Sequence, residues 1–185
     1  MPPFPTLPPL SRPLLGHLIG RWESCISIND NVMGGVSEGR LRVPRDLNEE
    51  NGAAFEGIIR TENNGGFSSI RIPVDTSDCS DCTCLILHVR GDGKSYSLRA
   101  FKDARSMGDI AFESSFKTIR GEYQEVIIPL SKLIPKWRGV IMQAEPLMSV
   151  STIKALGFIT TKNDVIGDFA MECMGIYACP QKATL

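Results

Sequence analysis

The sequence predicts an all-β chain whose antiparallel strands pack as a sandwich or barrel. Three observations predict it. From Trp22 onward, apolar and polar residues alternate at period two in about ten short runs. Each run stops at Gly, Pro, Asn or Asp, the residues that turn a chain. No stretch carries the 3.6-residue period of a long helix, and strands without intervening helices define this class. No fixed internal repeat is present, which argues against a propeller.

The elements follow in order. Pro2, Pro3, Pro5, Pro8, Pro9 and Pro13 crowd the start of the chain. Proline fixes its own φ and lacks an amide donor, so residues 1–21 read as an extended arm, a terminus either flexible or pinned to the surface. A polyproline ligand for a partner is the alternative. The arm is not amphipathic and Arg-rich, as a mitochondrial presequence would be. The main domain spans 22–179 and a short tail 180–185. Leu41 and Val43 alternate with Arg40 and Arg42; Phe55, Gly57 and Ile59 with Glu56 and Ile58. Leu85, Leu87 and Val89 alternate with Ile86, His88 and Arg90, then Tyr96, Leu98 and Ala100 with Ser97 and Arg99. Further strands are expected over 67–72, 110–116, 123–128, 155–160 and 169–178. Residues 130–134 fit one helical turn, which Pro135 stops.

Composition excludes several function classes. The chain has 185 residues, enough for one core. Its 20 Lys and Arg balance 21 Asp and Glu, so no global attraction to nucleic acid or an anionic membrane exists. No run of roughly 18 apolar residues could span a bilayer. With only His17 and His88, a site of several histidines is excluded. The six cysteines read as free thiols in a reducing compartment. Cys79, Cys82 and Cys84 contain one Cys-x-x-Cys step, but a closed zinc site needs a second pair. Cys84 is expected to be a small buried apolar residue. No metal or other cofactor is expected.

Four stretches are candidate sites. In 29–37, Asp30 and Asn31 offer oxygens to a cation or a sugar hydroxyl, with Met33 beside the paired glycines; the bare sequence reads as a turn. Residues 61–71 hold Glu62 and Asn63 in a second polar, Gly-rich loop, followed by Phe67, which is expected in the core. Arg90–Lys94, with Asp92 between two glycines, reads as the tight loop of a hairpin running from Leu85 to Phe101. It lacks the spacing of a phosphate-binding loop. Trp137 beside Arg138 is either an interface contact or a cover for one end of the sandwich. His88 reads as a strand histidine sharing a face with Ile86 and Arg90, without a nucleophile beside it.

Five blocks in order carry a resemblance: NDNVMGGVSEG, FEGIIRTENNGGFSSIR, LILHVRGDGKSYSLRAFKD, YQEVIIPLSKLIPKWRG and IKALGFITTKNDVIGDFAMECMGIY. Together they resemble the complex I intermediate-associated protein domain, from about Trp22 to Tyr177. The resemblance implies a galactose-binding-like jelly-roll β-sandwich. It also implies a non-enzymatic, chaperone-like role in assembling respiratory complex I or a related membrane complex, with subunits or assembly factors of a respiratory or photosynthetic complex as partners. No catalytic residues come with it. It implies a mitochondrial site, against a cytoplasmic one if no import signal operates. A carbohydrate-binding jelly roll is the alternative reading, and an enzyme built on His88 or the Cys79–Cys84 cluster is a third.

Overall fold

The computed structural model describes residues 4–16, 22–46, 51–105, 109–147 and 149–180. Thirteen strands lie among them: β1 (Arg12–Gly16), β2 (Ile26–Asn29), β3 (Glu38–Arg42), β4 (Ala53–Ile59), β5 (Phe67–Pro73), β6 (Cys82–Arg90), β7 (Ser95–Phe101), β8 (Ala111–Lys117), β9 (Tyr123–Pro129), β10 (Ile134–Trp137), β11 (Val140–Ile141), β12 (Ala155–Thr161) and β13 (Gly167–Pro180). The remaining regular pieces are single turns of 3-10 helix, among them the expected turn at Leu130–Lys132. His17 and, apart from Pro180, the tail lie outside the described residues.

Two antiparallel sheets result. One runs β3-β4-β13-β6-β9, with β1 paired to the second half of β13; the other runs β11-β10-β8-β7-β12-β5-β2. Alternation explains why they stack. Phe55 and Ile59 of β4 and Leu85, Leu87 and Val89 of β6 meet Ile70 and Ile72 of β5, Leu98 of β7, and Leu156 and Phe158 of β12 in one buried cluster. Aromatic rings tie the layers: Phe55 meets Phe169 edge-on at 4.9 Å and Tyr96 at 6.4 Å. This is the jelly-roll β-sandwich that the family resemblance implies, within the sandwich-or-barrel class that the period-two pattern predicts.

β13 serves three neighbours because it is 14 residues long, and its register against β6 shifts between Cys173 and Gly175. Phe169, Met171 and Cys173 point inward before the shift, and Ile176 and Ala178 after it. The first part pairs with β4 and the second with β1. So Arg12–Gly16, which the sequence assigns to the arm, is a strand of the sandwich.

A further expectation is overturned. The segment from Leu85 to Phe101 is not a hairpin, because β6 pairs with β13 and β9 whereas β7 pairs with β8 and β12. The loop between β6 and β7 crosses from one sheet to the other. Asp92 pins that crossing. Its Oδ1 accepts the Lys94 amide at 3.1 Å and the Tyr96 hydroxyl at 3.0 Å, and its Oδ2 accepts the Ala170 amide of β13 at 3.0 Å.

Candidate functional site

The candidate residues assemble into three separate places. At the β2 edge of the seven-stranded sheet, the loops 29–37 and 61–66 close around Asp30, which is 1% exposed. Its carboxylate accepts the amides of Ser37 at 2.9 Å, Gly66 at 2.5 Å and Phe67 at 3.3 Å. Gly35 and Gly65 have no side chain because the carboxylate occupies that space: a Cβ would lie 2.3 and 2.5 Å from its atoms. Asn63 donates to the Gly34 carbonyl at 3.1 Å, joining the loops again. Burial alone would push the Asp30 carboxyl up. The hydrogen bonds from Ser37, Gly66 and Phe67 outweigh burial and hold it below the ordinary value. Asp30 therefore spends its oxygens on backbone amides. What this knuckle offers outward is Asn31, Glu62 and Asn63 around an apolar tip of Val32 and Met33, the latter 70% exposed. Phe67 is half-buried at the start of β5.

Trp137 and Arg138 stand at the opposite edge, five strands from β2, or about 24 Å at ordinary strand spacing. Arg138 and Gly139, both at positive φ, make the two-residue turn between β10 and β11. The Arg138 guanidinium lies 4.7 Å from the Trp137 ring centre. Around it, Val140 is 61% and Ile141 67% exposed, with Ile134 of β10 and Ile127 of β9 about half exposed. A groove of about 330 Å³ runs between β9 and the β8–β10 edge, lined by Val126, Ile127, Ser115, Ile134 and Lys136 among others. Asp92 is the third place, in the crossing loop.

The sequence reading passed over the outer face of the seven-stranded sheet. Arg71 and Arg99 flank Gly157 across three strands. The Arg71 guanidinium lies 3.6 Å from the Phe101 ring centre, and Glu113 stands 3.6 Å from Arg99 and 3.7 Å from Lys136. Burial pushes both arginines down, opposed by Glu113 at Arg99 and by Asp109 and Asp103 at Arg71. The signal was present as alternation: Ser69 with Arg71, Ser97 with Arg99, and Glu113 with Ser115 share one face.

The thiol and histidine candidates sit apart from these. Arg12 of β1 grips Asp81 at 2.6 Å and lies 2.9 Å from the Cys82 sulfur, beside a cleft of about 430 Å³. Burial pushes the neighbouring Cys79 thiol up to about 11, so it is protonated at neutral pH and a poor nucleophile. Cys84 packs with Ile86 and Cys179 as a small apolar residue. His88 faces Glu125 at 3.4 Å, and burial pushes it down against that carboxylate. The Phe4 ring covers it at 4.0 Å. Among the described residues no group of three His, Cys, Asp or Glu is placed to hold a metal ion, and no helix is long and apolar enough to cross a membrane.

Architecture defines the class: a jelly-roll β-sandwich of the kind found in carbohydrate-binding modules. The family 11 carbohydrate-binding module of Clostridium thermocellum, solved with a β-1,3-1,4-mixed-linked tetrasaccharide, superposes with a TM-score of 0.65 at 14% identity, covering 91% of this chain and 95% of that one. An exo-β-agarase shares the fold over 87% of this chain and 24% of its own, with a TM-score of 0.51 at 10% identity. Within that class, residues 20–173 match the Complex I intermediate-associated protein 30 family, and the chain belongs to it. An uncharacterized protein of Schizosaccharomyces pombe is 24% identical, covering 84% of this chain and 77% of its own.

Proposed function

We propose that the chain is a non-enzymatic, chaperone-like assembly factor that holds subunits of mitochondrial respiratory complex I, or of a related membrane complex, during assembly. Family membership over residues 20–173 carries this reading. The exposed Trp137, Val140 and Ile141 hairpin supports it, because a contiguous apolar edge rimmed by charge suits a protein partner. A stiff sandwich presenting that edge loses little freedom on association.

Affinity capture from cells tests the reading. The wild-type chain is expected to recover respiratory complex subunits. A Trp137→Ala, Ile141→Glu variant is expected to recover at least about fivefold less, a loss of about 1 kcal/mol. Its Tm should move by less than about 2 °C, because both side chains are largely outside the core. Recovery of no respiratory or photosynthetic subunit by the wild-type chain sinks the proposal.

Carbohydrate binding is the second reading, favoured by the polar outer face with Arg71, Arg99, Glu113 and Ser97. Its one large ring, Phe101, is buried, so a sugar would meet hydrogen-bonding groups without a stacking platform. Calorimetric titration with a mixed-linked β-glucan tetrasaccharide decides it: saturable heat at micromolar concentration would promote this reading, and its absence at millimolar concentration would remove it.

A further inference from the structure

Residues 4–8 lie in a groove on the outer face of the six-stranded sheet. His88 forms the floor: Phe4 stacks on it with ring centres 4.0 Å apart and planes 6° from parallel. Tyr123 of β9 forms one wall, edge-on to Phe4 at 5.5 Å, and is itself held by Arg90, whose guanidinium donates to its hydroxyl at 2.9 Å. Tyr177 of β13 forms the other wall, 5.1 Å from His88. That wall needs Gly175 beside it, because a Cβ there would lie 2.7 Å from the Tyr177 hydroxyl. Further along, Leu7 packs against a second apolar step made by Cys84, Ile86 and Cys179.

The ligand's chemistry is legible from its occupant. Phe4 and Leu7 are three apart, each followed by a proline. A polyproline II helix repeats every three residues, so both side chains point to one side, about 9 Å apart. Aromatic-lined grooves that take such segments are a recurring recognition mode, because the ligand is already extended and loses little entropy. The tether carries a backbone cost. To turn back into β1, the chain places Leu10 at φ +66°, where the Cβ of an L-residue crowds the following carbonyl, and closes the turn with the Ser11 amide on the Pro8 carbonyl. A ligand supplied by another chain needs no such turn.

We propose that this groove is a docking site for a proline-rich segment of an assembly partner, of the form aromatic-Pro-x-Leu-Pro, and that residues 4–8 fill it until the partner displaces them. The proposal rests on the reading of the chain as a protein-binding assembly factor. It adds the site and the ligand class.

The test uses a fluorescent peptide spanning residues 4–11 and three full-length proteins: wild type, an arm-released Phe4→Ala, Leu7→Ala variant, and that variant with His88→Ala added. A tethered segment competes at an effective concentration near millimolar, so the wild-type chain should bind the peptide roughly tenfold more weakly than the arm-released one. Adding His88→Ala should abolish binding while the thermal transition persists. A peptide with alanine in place of phenylalanine should also fail. No saturable binding to the arm-released chain at millimolar peptide overturns the proposal. So does a concentration-dependent dimer of the wild-type chain by light scattering that the arm-released variant loses, since the groove would then serve a second copy. Failure of peptide binding with client capture intact removes the groove and leaves the assembly reading standing.

Discussion

Replacing Asp30 with alanine is expected to destabilise the protein by about 3 kcal/mol, because the buried amides of Ser37 and Gly66 lose their acceptor. For a chain of this size that is a fall in Tm of about 10 °C. Asparagine should not rescue it, since its NH2 group would point a donor at donors. The Gly35→Ala substitution should cost a similar amount for the complementary reason, its Cβ landing 2.3 Å from the carboxyl carbon. The double variant is the discriminating measurement: with the carboxylate gone the added methyl has room, so Asp30→Ala, Gly35→Ala should be no less stable than Asp30→Ala alone. Additive losses would mean that Gly35 answers to something other than Asp30.

The same carboxylate gives a pH dependence with a definite sign. Its pKa in the folded protein lies below the ordinary value. The unfolded chain therefore binds the proton more readily, and the stabilisation is fully present above the unfolded pKa, about 4. It is lost as pH falls through the folded pKa. Asp30→Ala should therefore narrow the stability gap between pH 7 and acid, and an unchanged acid limb would assign that limb to other carboxylates.

Local pattern made most strands legible and left their partners dark. The runs at Leu85 and Tyr96 alternate so clearly that a tight turn between them looked natural. A hairpin and a crossing between sheets have the same local signature: two alternating runs and a short Gly-rich loop. What separates them is long-range, namely that Asp92 reaches the Ala170 amide of β13, 78 positions away. β10 was missed because Pro135 breaks its alternation, which an edge strand tolerates. β1 was missed because a proline-rich start reads as an arm, yet its buried Leu14 and Leu15 belong to the core. The candidate site was legible as residue types only. Asp30 and Glu62 were seen as loop ligands, but nothing local said that Asp30 is consumed by amides of the other loop. Phe4, which lies flat on the one described histidine, offered no periodic signal at all.

Phe55 carries the second large prediction, because it stands where the sheets are joined. It belongs to β4, touches Phe169 of β13 on its own sheet, and reaches Tyr96 of β7 across the core. Tyr96 continues to Phe116, and Phe116 to Phe158, each at 6.4 Å. Truncation to alanine removes a ring from this series and leaves a cavity that stiff strands on both sides cannot close. The expected cost is about 4 kcal/mol, seen in urea as a lower midpoint at unchanged slope. Phe55→Leu keeps most of the volume and should cost roughly 1 kcal/mol. Trp137→Ala removes a larger side chain and should barely move the midpoint, because that ring already meets water. If Trp137→Ala unfolded the protein as readily as Phe55→Ala, the hairpin would be part of the core, and the apolar edge would no longer be available to a client.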